Sequence, residues 1–150
     1  MNFLILLTAF VAMEGVAWFT HKYVMHGFLW YLHKDHHKKE HYGFFEKNDF
    51  FFLIFAIPGM IGIFLGMYND FNFLFWIGMG ITVYGFTYFL VHEIFIHQRF
   101  KFLRNTNSNY FKAIRRAHKV HHKSLEKEHG ECFGMLWVPM KYFRQETKQA

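Results

Sequence analysis

Ten of the twelve histidines in this chain fall into four short motifs. Two motifs have the form HxxxxH and two have the form HxxHH, and the order HxxxxH then HxxHH occurs twice. The motif histidines are His21, His26, His33, His36, His37, His92, His97, His118, His121 and His122. Neutral imidazole binds iron, zinc, copper and nickel. Ten imidazoles exceed the needs of one ion of ordinary coordination number, so the motifs predict a site for two metal ions.

The spacing within each motif predicts how its rings are directed. In an α-helix, residues at i, i+3 and i+4 share one face, so each HxxHH motif is predicted to present three imidazoles to one point. Residues at i and i+5 lie about 140° apart on the same helix. An HxxxxH pair therefore either straddles the site, with one ring for each metal ion, or needs a local distortion of the helix. His41 and His129 lie outside the motifs and are not predicted to be ligands.

Three apolar segments, residues 1–20, 50–68 and 71–91, are each about the length of a membrane span. At ~1.5 Å per residue, about 20 residues of helix cross a hydrocarbon core of ~30 Å. A pair of histidine motifs begins where the first and the third segment end. The sequence predicts an all-α integral membrane protein with three transmembrane helices, a fourth being left open, and a cytoplasmic, histidine-rich, metal-binding cap. The chain of 150 residues is expected to form a single domain, residues 1–150.

The basic residues indicate the orientation of the chain. All 17 Lys and Arg lie either between the first and second apolar segments or after the third, which is the same side of the membrane. By the positive-inside rule that side is the cytoplasm, so the N-terminus is expected in the periplasm and the protein in a bacterial inner membrane. Membrane topology thus accounts for the net charge of +6, and no nucleic-acid partner is expected.

Two further residues bear on the chemistry. Glu14 is the only charged residue in the first apolar segment, and a carboxylate inside a membrane helix usually has a function. It is predicted either to accept a hydrogen bond from a metal-binding imidazole on a neighbouring helix or to be protonated and packed against another polar group. The single cysteine, Cys132, excludes an intrachain disulfide and a protein-held iron–sulfur cluster. Electrons for redox chemistry would therefore come from another protein.

Other histidine chemistries fit this pattern less well. The segment from His92 to His97 resembles the HExxH motif of zinc proteases but is one residue longer, which rotates the second histidine off the zinc-binding face. A bis-histidine haem site needs rings that face each other within the bilayer. A metal transporter normally places its ligands near the membrane midplane, whereas these motifs begin at the ends of apolar segments. Metal transport is the weaker alternative.

The motifs and their flanking residues resemble those of the fatty-acid-hydroxylase and sterol-desaturase superfamily of membrane di-iron enzymes. Within it, the chain is similar to the bacterial-type β-carotene hydroxylases over nearly its whole length. The matching stretches are residues 21–27, the HxxHH motif ending at 37, and residues 45–49, 88–99, 118–122 and 133–139.

The resemblance implies O₂-dependent hydroxylation of β-ionone rings at C3 and C3′, which converts β-carotene to zeaxanthin through β-cryptoxanthin. It implies two iron ions held by the ten motif histidines, a carotenoid substrate in the bilayer and a ferredoxin-type electron donor. No motif for a bound flavin, haem or nicotinamide is present in the sequence. The histidines alone would equally suit a fatty-acid or sterol hydroxylase or desaturase.

Overall fold

The computed structural model describes residues 1–38, 43–101 and 104–144. Within these ranges every regular element is a helix, so the predicted all-α fold is confirmed. All ten motif histidines and His129 are among the described residues, whereas His41 lies outside them. The elements, in chain order, are α1 (Asn2–Phe19), a first π-helical segment (Thr20–Phe28), α2 (Trp30–His37), a 3₁₀ turn (Lys47–Asp49), α3 (Phe50–Tyr68), α4 (Phe73–Tyr88), a second π-helical segment (Phe89–Ile96), α5 (Asn109–His121) and a 3₁₀ turn (Met140–Tyr142).

Three helices of the described chain are long and apolar enough to cross a membrane. They are Asn2–Phe28, Lys47–Tyr68 and Phe73–Ile96, with mean hydropathies of 1.9, 2.4 and 1.6. Large apolar side chains such as Phe3, Phe64 and Phe86 are more than 60% exposed on them, which matches a surface solvated by lipid rather than by water. This is the architecture of a membrane protein. The first and third helices extend beyond the predicted apolar segments because each continues into a π-helical segment.

Glycines let α3 and α4 approach closely. A Cβ atom on Gly78 of α4 would lie 2.6 Å from the backbone nitrogen of Ile63 and 2.7 Å from the carbonyl oxygen of Gly59. Gly62 faces the Gly78 backbone, and Gly66 faces that of Phe75. Small residues at such positions allow van der Waals packing between membrane helices. Gly62 and Gly66 of α3 therefore pack against α4 of the same chain.

The C-terminal third of the chain covers the ends of the membrane helices. Helix α5 is capped by Ser108, whose hydroxyl accepts a hydrogen bond from the Phe111 N–H. It buries Ala113, Ile114 and Ala117 on the same face as two motif histidines. Ile114 packs with Val91 of the second π-helical segment. This packing brings the histidines of α5 to those that follow the membrane helices.

Candidate metal centre

Both HxxxxH motifs lie in the π-helical segments. In the second segment, the N–H of His97 donates to the carbonyl of His92, five residues earlier, at 2.9 Å. A π-helix has this i→i+5 bonding pattern and so places residues five apart on one face. The ring centroids of His92 and His97 are 4.5 Å apart, and those of His21 and His26 are 5.3 Å apart. Of the two arrangements left open by the spacing, the structure has the local helical distortion.

A first group of five buried imidazoles, here called site A, joins three elements. The first π-helical segment supplies two rings, α2 supplies two and α5 supplies one. One ring nitrogen from each lies within 4.8 Å of the corresponding nitrogens of the other four. The members of site A are His21, His26, His33, His37 and His121.

A second group, here called site B, lies beside the first. His36, His97, His118 and His122 place one ring nitrogen each within 4.8 Å of one another. His92 joins them because its Nε2 lies 3.3 Å from Nε2 of His36. The sites are in contact, since the rings of His37 and His122 stack with centroids 4.5 Å apart and an interplanar angle of 15°. Each site thus contains five imidazoles.

The prediction that each HxxHH motif presents three rings to one point is wrong. The first motif sends His33 and His37 to site A but His36 to site B, and the second sends His118 and His122 to site B but His121 to site A. On a helix, the i+3 and i+4 positions lie on opposite sides of residue i and about 100° from each other. Both α2 and α5 therefore direct their i and i+4 rings into one site and their i+3 ring into the other.

Neutral acceptors orient all five rings of site A. Each ring donates its Nδ1–H outward, at 2.6–3.1 Å, to an oxygen of the loops around the site. The donor–acceptor pairs are His21 with the Phe133 carbonyl, His26 with the Lys127 carbonyl, His33 with the Asn48 side-chain oxygen, His37 with the Ser124 carbonyl and His121 with the Glu131 carbonyl. A proton on Nδ1 leaves the Nε2 lone pair free and directed inward.

Carboxylates orient two rings of site B. His36 donates to Glu46 at 2.8 Å, and His92 donates to Glu93 at 2.6 Å. Arg99 binds Glu93 through Nε at 2.9 Å and binds both carboxylate oxygens of Asp49. Burial raises the pKa of Glu46, and the Arg99 guanidinium opposes that rise. No local pattern in the sequence assigns a role to these residues, because only the folded chain places them behind imidazoles.

The inward-facing nitrogens fit a metal ion. In site A, Nε2 of His33 lies 3.1 Å from Nε2 of both His21 and His37. Their protons are committed to Nδ1, so lone pairs face one another and repel unless a cation lies between them. In site B, Nε2 of His122 is buried without a hydrogen-bond partner. Two sets of five nitrogen donors suit a transition-metal ion in each.

Burial also keeps the rings in the form that binds metal. Desolvation, together with repulsion from neighbouring imidazoles, lowers the pKa of His118 well below the usual value. The pKa falls to about 4 for His37 and to about 3 for His97 and His121. These imidazoles are therefore neutral at pH 7, and no proton competes for the lone pair.

Glu14 does not bind an imidazole. Its Oε1 accepts three backbone N–H bonds, from Met135, Leu136 and Trp137, at 2.8–2.9 Å, and its Oε2 accepts the Tyr84 hydroxyl at 2.7 Å. Instead of a ligand ring, its oxygens bind polar groups of the 135–137 loop and of α4, so that Glu14 anchors this loop to α1. Phe133, whose carbonyl orients His21, lies two residues before Met135.

His129 belongs to neither site. It is exposed and has a positive φ of 66° in the loop after α5. This placement agrees with the expectation that it is not a ligand. His41, for which the same expectation was made, is not among the residues that the structure describes.

Residues 6–140 match the family model of fatty acid hydroxylases. The chain belongs to the fatty acid hydroxylase family. The four histidine motifs, and thus both sites, lie within the matched residues.

The names of individual relatives are more specific than the description of the family. The chain is 41% identical to "Beta-carotene hydroxylase" of Pseudescherichia vulneris over 91% of this chain and 77% of the relative. It is 36% identical to "Beta-carotene hydroxylase" of Paracoccus sp. (strain PC1) over 99% and 92%. A chloroplastic relative from Capsicum annuum, "Beta-carotene hydroxylase 2", is 36% identical over 87% of this chain and 42% of its own. No solved structure shows significant similarity to this chain. The family predicted from the motifs is confirmed.

Proposed function

We propose that this protein is a membrane di-iron monooxygenase that hydroxylates the β-rings of carotenoids. The reaction would convert β-carotene to zeaxanthin at C3 and C3′ through β-cryptoxanthin. The observation that carries the proposal is the pair of adjacent five-imidazole sites, at the ends of membrane helices, in a chain 41% identical to a β-carotene hydroxylase.

Iron is the metal that this chemistry favours. Zinc has no redox chemistry, whereas hydroxylation by O₂ changes the oxidation state of the metal. Site A would hold one ion and site B the other, with the motif histidines as ligands. When bound, the two ions would supply the activation of O₂ for a reaction in which a C–H bond, O₂, two electrons and two protons yield C–OH and water.

The residues of the chain hold and shield this centre. The outward hydrogen bonds from Nδ1 fix the ring orientations, and burial of the imidazoles excludes water that would otherwise quench an oxidant. The sites lie at the ends of helices whose exposed side chains are apolar. A carotenoid ring dissolved in the bilayer can therefore approach from the lipid side without leaving it.

The electrons are proposed to come from a ferredoxin-type protein. With Cys132 as its single cysteine, the chain cannot hold an iron–sulfur cluster of its own. The basic residues on the histidine-bearing side would attract an acidic donor. In this proposal the membrane is the bacterial inner membrane, the metal centre faces the cytoplasm, the N-terminus faces the periplasm, and nucleic acid is not a partner.

The test is expression in a bacterium that accumulates β-carotene, followed by chromatography of the pigments. We expect mono- and dihydroxylated products, and about two iron ions per chain in the purified protein. The family description favours fatty acid hydroxylation as the second candidate, so the lipids of the same cells should be analysed for hydroxylated acyl chains. Hydroxylated acyl chains with unchanged β-carotene would replace the carotenoid proposal by the second candidate.

A further inference from the structure

The two metal sites differ in what lies behind their imidazoles. In site A, the five Nδ1–H groups donate to four backbone carbonyls and to the amide oxygen of Asn48, all of them neutral. In site B, His36 and His92 donate to the carboxylates of Glu46 and Glu93. Among the described hydrogen bonds, none joins a carboxylate to a ring of site A.

The carboxylates beside site B carry more charge than the guanidinium of Arg99, which binds them. Arg99 binds Glu93 at 2.9 Å and Asp49 at 3.0 Å, and its Nη2 lies 3.6 Å from Glu46. Within this group of described residues, the three carboxylates and the Arg99 guanidinium sum to a formal charge of −2 next to the imidazoles of site B. The guanidinium also holds the carboxylates in place, so that their acceptor oxygens stay on the two rings.

We propose that Glu46 and Glu93 are positioning residues that make site B the tighter of the two metal sites, so that site B fills before site A. The inference rests on the proposed two-metal centre. A carboxylate that accepts the Nδ1–H of a ligand raises the basicity of that ring, and its loss typically lowers metal affinity ~10–100-fold. The net negative charge attracts a cation further in the low dielectric of a buried site.

The first experiment measures both affinities directly. Metal-free full-length protein in detergent micelles is titrated with Co²⁺, and binding is followed by visible absorption. We expect two ions to bind in two resolved steps. Glu93→Gln keeps the acceptor oxygen and removes its charge, so the tighter step should weaken by ~10–100-fold while the weaker step stays unchanged.

A second variant tests the same idea by gain of affinity. Asn48→Asp keeps the shape of the side chain and adds a negative charge behind His33, at the 2.6 Å contact of site A. The weaker step should then tighten by a comparable factor, which a merely structural role of carboxylates would not produce. Asp70→Asn is the matched control, because it removes a carboxylate charge in the exposed turn between α3 and α4, and Asp70 belongs to neither site. It should change neither step.

The possible results distinguish three claims: the unequal affinities of the two sites, the two-metal centre and the carotenoid substrate. Two Co²⁺ ions bound with equal affinity, or an unchanged tighter step in Glu93→Gln, would overturn the inequality of the sites and leave the two-metal centre intact. Binding of fewer than two ions would overturn the centre and the inference together. Two unequal sites in a protein that fails to convert β-carotene would uphold the inference and contradict only the proposed substrate.

Discussion

At the scale of single residues, function depends on which nitrogen of each ring is free. The hydrogen bonds from Nδ1 in site A commit the proton to the outer edge of the ring. The lone pair of Nε2 is then directed into the site. A side chain that cannot supply that nitrogen leaves a coordination position open, whatever its size or polarity.

We predict that alanine at any of the ten motif positions lowers hydroxylation by at least ~100-fold, the upper range for loss of a residue that merely supports a ligand. A variant of site A, such as His33→Ala, should lose the ion of that site before the ion of site B. Iron content of the purified protein, measured beside pigment conversion in cells, checks both effects. Membrane insertion should persist, because the apolar segments are unchanged.

His129→Ala is the control for these variants, since His129 is exposed and outside both sites. It should keep both iron ions and normal conversion of β-carotene. Several motif variants with full iron and full activity, beside an inactive His129→Ala, would contradict the ligand assignment.

At the scale of elements, the metal centre depends on hydrogen bonds between elements that are distant in the sequence. Glu14 on α1 binds the 135–137 loop and, through Tyr84, α4. The carbonyl of Phe133, just before that loop, accepts the Nδ1–H of His21. The Glu14 side chain thus acts on site A indirectly, through the loop.

Glu14→Gln replaces one acceptor oxygen by a donor and should lower the free energy of unfolding by about 1–3 kcal/mol, the range for leaving a buried hydrogen-bonding group unsatisfied. It should also weaken metal binding at site A more than at site B. Tyr84→Phe removes only the hydroxyl donor and should cost about 1 kcal/mol. Denaturant unfolding in micelles and metal titration are the measurements. Full stability and full metal binding in Glu14→Gln would show that the loop anchor is dispensable.

The close approach of α3 and α4 allows a matched pair of glycine substitutions. Gly78→Ala would place Cβ 2.6 Å from the Ile63 nitrogen, and overpacking of this kind typically costs ~1–3 kcal/mol. Gly85 lies on the same helix with no neighbouring atom within 4 Å of an added Cβ. Gly85→Ala should therefore be neutral or stabilise by up to ~1 kcal/mol. Equal thermal stability of the two variants in micelles would contradict the packing argument.

At the scale of the whole molecule, both halves of the metal centre must lie on one side of the membrane. Sites A and B each combine rings from the first half of the chain with rings from the second. The HxxxxH rings lie at the ends of the first and third membrane-spanning helices, and an HxxHH motif follows each of these two helices in the sequence. The arrangement is possible only if the chain returns to the same face after the α3–α4 pair.

We predict that reporters fused after Lys47 and at the C-terminus both report the cytoplasm. The physical reason is that all 17 basic residues lie in the segments on that side, and positive charges resist translocation. Phosphatase and fluorescent-protein fusions, which are active on opposite sides, give the measurement. Reporters on opposite sides of the membrane would exclude a shared centre.

Helical class, membrane spans and ligand types were determined by the sequence alone. Length and hydropathy identify a spanning helix locally, and the histidine motifs name the donors without any knowledge of packing. These features need only the covalent order of residues, which is why the predicted spans 50–68 and 71–91 closely match the helices Lys47–Tyr68 and Phe73–Ile96.

The division of the ten rings between two sites depends on how the folded chain packs. The α-helical period places the three rings of each HxxHH motif on one broad face, but α2 and α5 each give rings to both sites. The contacts that place Glu46 and Asn48 behind rings join residues 10 and 15 positions apart, and the Phe133 carbonyl meets His21 across 112 positions. Such contacts leave no local periodicity, so the sequence contains the partners without showing which of them meet.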